Sequence, residues 1–226
     1  MNIGMIVAVA QEIGALLEKM GKPISVENLA GYEIKAYEVN GHSLYVTQSG
    51  AGEISAASST QLLISKYGCE MIVNFGVCGG LTDEMSVTRT AVVEKVVHYD
   101  FDTSEIDNCE VGRYLEYPDI YIPAEKSLVD KACEVEPTLM RVICASADKF
   151  VGDPDKKREL NEKFGAHICE MESAGILLTA NRNGVPALLI KAVSDSVSGG
   201  ADEFANMISE AALVCISTLL KIIERV

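Results

Sequence analysis

A chain of 226 residues that is 48% hydrophobic holds enough apolar mass for one sizeable core and too little for two. Its 33 acidic against 19 basic residues leave a formal charge of −14, which repels phosphate backbones and anionic lipid. That balance argues against nucleic-acid or membrane-surface binding and serves solubility. The seven cysteines form no CxxC and no ligand spacing with the three histidines, so they read as reduced, buried thiols of a cytosolic protein, with no metal site.

In chain order, Ile3–Ala10 is an apolar run without a basic flank that meets Glu12 almost at once, so it reads as a buried first strand and not as a signal peptide. Ile34–Val39 and Ser43–Gln48 flank Asn40-Gly41 and predict a hairpin. Ser49-Gly50-Ala51-Gly52 then leads into a helix over Ile54–Lys66. Met71–Phe75 predicts a strand followed by a glycine loop, Gly76-Val77-Cys78-Gly79-Gly80, and Ala91–Val97 a further strand. The irregular stretch Phe101–Tyr121, with Tyr114, Tyr117 and Tyr121, predicts a loop over the site or at a subunit contact. A helix over Ser127–Val135, a strand over Leu139–Ala145 and a helix over Pro154–Phe164 follow. Beyond them come the short segment His167–Cys169, a helix over Met171–Asn183 and a strand over Ala187–Val193. The last helix, Asp202–Arg225, opens on two acids at the positive end of its dipole. No segment reaches the roughly 20 uninterrupted apolar residues of a membrane span.

The Val/Ile-rich runs lack clean alternation, which predicts a sheet covered on both faces, a three-layer α/β/α arrangement in a single domain over residues 1–226. Ligands of such sheets sit beyond the carboxyl ends of the strands. There the sequence places Glu12, the two glycine segments, Glu170-Met171-Glu172 and Ser194-Asp195-Ser196. Glycines after a strand let the backbone approach a ligand. Neither segment has GxGxxG or GxxxxGK[ST] spacing, and no GxSxG is present. Taken singly, Glu12 reads equally as a solvated first-turn residue and Asp195 as a cap. Glu170 and Glu172 diverge on a helix but share a face on an extended segment. Their convergence at one sheet edge argues for a site.

The order Glu12, Ser49-Gly50-Ala51-Gly52, Gly76-Val77-Cys78-Gly79-Gly80, Ala147-Asp148-Lys149-Phe150-Val151, Glu170-Met171-Glu172 and Ser194-Asp195 resembles the purine nucleoside phosphorylase/uridine phosphorylase superfamily. Its most similar branch is the 5′-methylthioadenosine/S-adenosylhomocysteine nucleosidases, and the likeness runs over residues 2–222. The resemblance implies a central mixed, partly barrel-like sheet and cleavage of a purine N-glycosidic bond. It implies that Glu12 activates the attacking water and that Asp195 shares or donates a proton to N7. Glu172 would hold the ribose hydroxyls beside Met171. Phe150 would stack on the base while the Val151 backbone reads its edge, and Phe204 would wall the 5′ side. Gly79, Ser194 and Ala51 complete the implied substrate-binding set. It further implies a homodimer and no metal or organic cofactor.

Charge separates the hydrolytic from the phosphorolytic branch. Phosphate dianion suits arginine, yet Ala10-Gln11-Glu12 carries none. Asn74 stands where hexameric phosphorylases place one, and Arg89 lies well beyond the glycine segment. A carboxylate repels phosphate and suits water, so hydrolysis is expected. A phosphate-dependent phosphorylase and a catalytically weak nucleoside binder remain the alternatives. Val77 replaces the usual serine and Ala51 a larger aliphatic residue, which leaves the 5′ pocket's shape open.

Overall fold

The computed structural model describes residues 1–225. Its strands are β1 (Asn2–Val7), β2 (Ser25–Leu29), β3 (Tyr32–Val39), β4 (His42–Gln48), β5 (Met71–Gly80), β6 (Thr90–His98), β7 (Tyr121–Pro123), β8 (Met140–Ser146), β9 (Ile168–Glu170) and β10 (Ala187–Asp195). Its helices are α1 (Ala10–Met20), α2 (Glu53–Tyr67), α3 (Ser104–Asp107), α4 (Lys126–Val135), α5 (Pro154–Phe164), α6 (Ser173–Arg182) and α7 (Ala201–Ile223).

One mixed sheet runs in the order β10-β6-β8-β9-β5-β1-β4-β3-β2, with β7 on β6. A further pairing between β10 and β5 closes five of these strands into a ring, which meets the expectation of a partly barrel-like sheet. The remainder, β1-β4-β3-β2, extends from the ring through β1, which lies parallel to both β5 and β4. Helices α1, α4 and α7 pack on one side through Leu16, Val129, Ile216 and Leu219. Helices α2 and α6 pack on the other through Ala56, Leu63, Ile176 and Leu177, and α5 covers a third cluster with Leu160 and Phe164. The sheet is therefore sandwiched as expected.

Two local departures bear on the site. The first strand ends at Val7, before the expected Ala10, and α1 begins there. The cause is Glu12, whose Oε2 accepts from the N–H groups of Ala8 and Val9 at 2.7 and 3.0 Å and so bends the chain out of the sheet. The second departure concerns residues 76–80, which are strand and not loop. β5 continues through them, pairing with β10 up to Gly79 and with β9 at Gly79 and Gly80. Their glycines serve close approach within a strand: a Cβ on Gly76 would stand 2.7 Å from Glu12 Oε1, and one on Gly79 3.1 Å from Cys169 Sγ.

Helix α7 is long and apolar enough to cross a membrane by length and composition. Ser209, Glu210 and Ser217 interrupt its apolar run, and its buried face, including Ala212, Ile216 and Leu219, belongs to the core beside β5 and β10. It is the central helix of that layer.

Candidate active site

A cavity of about 150 Å³ opens at the carboxyl ends of the ring strands β5, β9 and β10. Six chain segments meet there: the β1–α1 turn, Ala51, β5, residues 149–151, the β9–α6 junction, and the end of β10 together with Phe204 of α7. All ten residues named as catalytic or substrate-binding line it: Glu12, Ala51, Gly79, Phe150, Val151, Met171, Glu172, Ser194, Asp195 and Phe204.

Glu12 is 2% exposed. Besides the two donors to Oε2, the Val77 N–H donates to Oε1 at 3.0 Å, so three backbone groups hold the carboxylate in one plane. Burial pushes its pKa up, against the lowering effect of those N–H groups and of Lys191. A fixed carboxylate with a raised pKa suits a base that takes a proton from water.

Glu170 and Glu172 divide their tasks according to where the strand stops. Glu170 closes β9 and points into the protein fabric. Lys191 Nζ donates to its Oε2 at 2.8 Å, Ser146 Oγ to its Oε1 at 2.6 Å, and the Ser173 N–H caps it. Burial alone would raise its pKa, but Lys191 and the Ser146 and Ser173 hydrogen bonds outweigh it and hold the carboxyl below its ordinary value. Glu172 stands at the N-cap position of α6, yet its Oε1 accepts from the Gly52 N–H at 3.0 Å instead of from its own helix. Gly52 can make that approach at φ +107°, a conformation that favours glycine. Burial, then the Glu170 charge, push Glu172 up to about 7.

Behind this pair lies Glu53, pushed up to about 8 by burial and by the Glu170 charge. Ser146 Oγ contacts carboxylate oxygens of both Glu53 and Glu170. A hydroxyl has one hydrogen to give. Glu53, raised to about 8 and without a lysine partner, is the carboxyl suited to carry a proton and donate back to Ser146.

Asp195 ends β10 at a shift in register against β5. The Lys157 ammonium, on α5 and fully buried, donates to Oδ2 at 2.5 Å, and Ser194 Oγ donates to Oδ1 at 2.9 Å. Burial raises the Asp195 pKa against both of these partners. Next to it, Phe150 and Phe204 meet edge to face with centroids 5.3 Å apart. Phe150 keeps 46% of its surface exposed, an uncovered aromatic face beside the cavity.

The tyrosine-bearing segment does not reach the cavity. Tyr114 stacks on Phe101 at 4.2 Å and hydrogen-bonds His98 Nδ1, and Tyr117 packs against the α2/α6 core. Four residues of the site's support were absent from the sequence reading: Lys157, Lys191, Glu53 and Ser146. Lys191 had a signal, a charge inside the otherwise apolar strand run Leu188–Val193. Lys157 had none, because Lys156 and Arg158 beside it are ordinary surface charges. Among the described residues no group of three or more His, Cys, Asp or Glu is placed to hold a metal ion.

A five-stranded ring with buried carboxylates and an aromatic wall at its strand ends defines an enzyme of nucleoside cleavage. The chain belongs to the phosphorylase superfamily, whose sequence profile matches residues 2–226. Within it the chain is similar to N-glycosyl hydrolases. The 5′-methylthioadenosine/S-adenosylhomocysteine nucleosidase of Shewanella halifaxensis is 32% identical over 231 residues, covering 98% of this chain and 99% of that protein. The solved nucleosidase of the same name from Campylobacter jejuni is 26% identical with a TM-score of 0.91, over 100% of both chains. The native futalosine hydrolase of Helicobacter pylori is 25% identical with a TM-score of 0.93, over 100% of this chain and 98% of its own.

Proposed function

We propose that this enzyme hydrolyses the N-glycosidic bond of a 5′-substituted adenine nucleoside, 5′-methylthioadenosine or S-adenosylhomocysteine, and releases free adenine. The observation that carries the reading is that Glu12, Glu172 and Asp195 surround one cavity while the two buried lysines beside them are already spent on Glu170 and Asp195. No arginine lines that cavity among the described residues. Lys149 also lines the cavity but is exposed to solvent; a phosphate dianion would meet that cation against several buried carboxylates and no fork of donors, whereas water meets a base.

In the reaction the C1′–N9 bond breaks with its electron pair moving to the purine, and N7 takes a proton from the acid form of Asp195, leaving a carboxylate that the Lys157 ammonium neutralises. The water oxygen bonds to C1′ from the Glu12 side and passes its proton to Glu12. Glu172 accepts from the ribose hydroxyls, and Phe150 stacks on the base. Proton donation of this kind contributes about 10²–10⁴-fold. Chromatographic detection of adenine from nucleosides that differ at the 5′ position tests the reading. Release is expected without phosphate and with EDTA present, and a strict phosphate requirement overturns it.

A homodimer fits the exposed Ile54, Ile106 and Leu115, which are 81%, 87% and 64% accessible on an isolated chain. A single-chain mass by light scattering would refute that part. Seven unpaired cysteines suit a reducing, cytoplasmic setting, and the acidic surface suits neither nucleic acid nor membrane as partner.

A further inference from the structure

Lysine is almost never fully buried unless it is paired, because removing the ammonium from water costs more than most interactions return. Lys157 is 0% exposed near the N-terminus of α5, where the adjacent Lys156 and Arg158 make surface ion pairs. Its three hydrogens are all committed at the end of β10: to Asp195 Oδ2 at 2.5 Å, to the Ser196 carbonyl at 2.6 Å and to the Gly199 carbonyl at 3.1 Å. Its stem runs alongside Gly79, where an added Cβ would stand 3.5 Å from Lys157 Cε. The side chain therefore reaches the acid from behind the ring.

Two consequences follow for Asp195. A carboxyl group rotates freely about its Cβ–Cγ bond unless both oxygens are engaged; here the ammonium holds Oδ2 and the Ser194 hydroxyl meets Oδ1. The same ammonium binds the loop that carries the chain from Asp195 into α7. At its far side that loop is held by Glu203, whose Oε2 accepts from the Ser196 N–H at 2.6 Å and from Ser196 Oγ at 2.9 Å. Phe204, the next residue, lines the cavity against Phe150. One buried cation thus ties the acid that faces the purine to the aromatic wall beside it.

We propose that Lys157 is the positioning residue of the leaving-group step, fixing the plane of the Asp195 carboxyl so that it meets the purine in one orientation. This rests on the reading that the site cleaves purine nucleosides. Misplacement of a reacting group by about 1 Å costs about 10²-fold, and only a leaving group that needs a proton will register it. The test compares, in one preparation, adenine release from 5′-methylthioadenosine with nitrophenolate release from p-nitrophenyl 5-methylthioriboside, which departs as an anion without a proton. Because both rates come from the same folded fraction, their ratio is insensitive to loss of stability.

In Lys157→Met the purine kcat is expected to fall about 10–100-fold with KM nearly unchanged, while the nitrophenyl kcat changes less than about threefold. Lys157→Arg restores part of the ratio. Placed on Asp195→Asn, Lys157→Met adds less than about twofold, since residues that act through one group are non-additive. Equal losses on both substrates, or full additivity with Asp195→Asn, overturn the proposal and leave Lys157 a scaffold residue. If Lys157→Met does not fold, Lys157→Gln carries the same ratio. Failure of the native enzyme on both substrates would instead refute the proposed function.

Discussion

Gly76→Ala isolates the base without touching its chemistry. The new methyl would lie 2.7 Å from Glu12 Oε1, about 0.7 Å inside the 3.4 Å at which ordinary contact begins, and a harmless 3.7 Å from Lys191 Nζ. The strand backbone is paired with β10 at Gly76 itself and with β1 as far as Asn74, so the carboxylate gives way before the strand does. Retreat lengthens the 3.0 Å bond from the Val77 N–H beyond hydrogen-bonding range. A hydrogen bond to a charged group is worth about 1.5–3 kcal/mol, a factor of about 10–150. Steady-state kinetics of adenine release should therefore show kcat down about 10–100-fold with KM little changed, the signature of an interaction used in the transition state. Gly14→Ala is the control, because a Cβ there meets nothing within 4 Å and alanine favours a helix interior over glycine by about 0.5–1 kcal/mol. It should melt slightly higher at native kcat. A folded Gly76→Ala protein with native kcat would refute the placement of Glu12 as the base.

Asp195→Asn keeps the shape of the acid and removes its proton, so purine release should drop about 10²–10⁴-fold while circular dichroism stays native; near-native turnover would contradict the assignment. Because burial raises Glu53 to about 8 and Glu172 to about 7, the folded chain binds more protons than the unfolded one between their unfolded values and these. The contribution of these two groups to stability is fully present below their unfolded values and is lost as pH rises through 7 and 8. Scanning calorimetry should show Tm falling between pH 6 and pH 9, less steeply in Glu53→Gln, whose neutral amide can donate to Ser146 as the protonated acid does. An identical slope in the two proteins would place the proton elsewhere. Glu172→Gln should weaken binding of nucleosides that carry both ribose hydroxyls more than of 2′-deoxy analogues, measured as the ratio of kcat/KM; an unchanged ratio removes Glu172 from the sugar.

The legible parts of this molecule are those governed by local rules. Pro154–Phe164 is bounded as expected because Asp153 caps it, proline opens it and Gly165 closes it in the left-handed conformation. The buried strands announce themselves as apolar runs. β2, with the sequence Ser-Val-Glu-Asn-Leu, does not, since it is an exposed edge that needs no apolar face. β7 and β9 are three residues each, too short for any period to register. Ring closure depends on β10 lying parallel to β5 and antiparallel to β6, a pairing between distant segments that no window of sequence encodes. At the site, carboxylates at strand ends were visible as anomalies, while their counter-charges were not. Glycines at 76 and 79 carry the same letter whether the backbone turns or a side chain needs the space. Only the second applies here.

Counting buried charge explains why the pocket suits a sugar cation. Glu12, Glu53, Glu170, Glu172 and Asp195 are five buried acids against two buried ammoniums, Lys157 and Lys191. Lys191 answers Glu170, Lys157 answers the carboxylate that Asp195 becomes once its proton has passed to the purine, and Glu53, pushed up to about 8, stays neutral behind them. Glu12 and Glu172 remain, both with raised pKa and both facing the cavity. At an effective dielectric of about 20, unit charges 4 Å apart interact by about 4 kcal/mol. A dianionic nucleophile entering here would oppose that term with each carboxylate, whereas a neutral nucleoside and water leave it untouched. As C1′ loses its base, the ribose acquires the positive charge that these two carboxylates lack. The strain of crowding acids together is thus relieved most in the transition state, which is where stabilisation raises kcat.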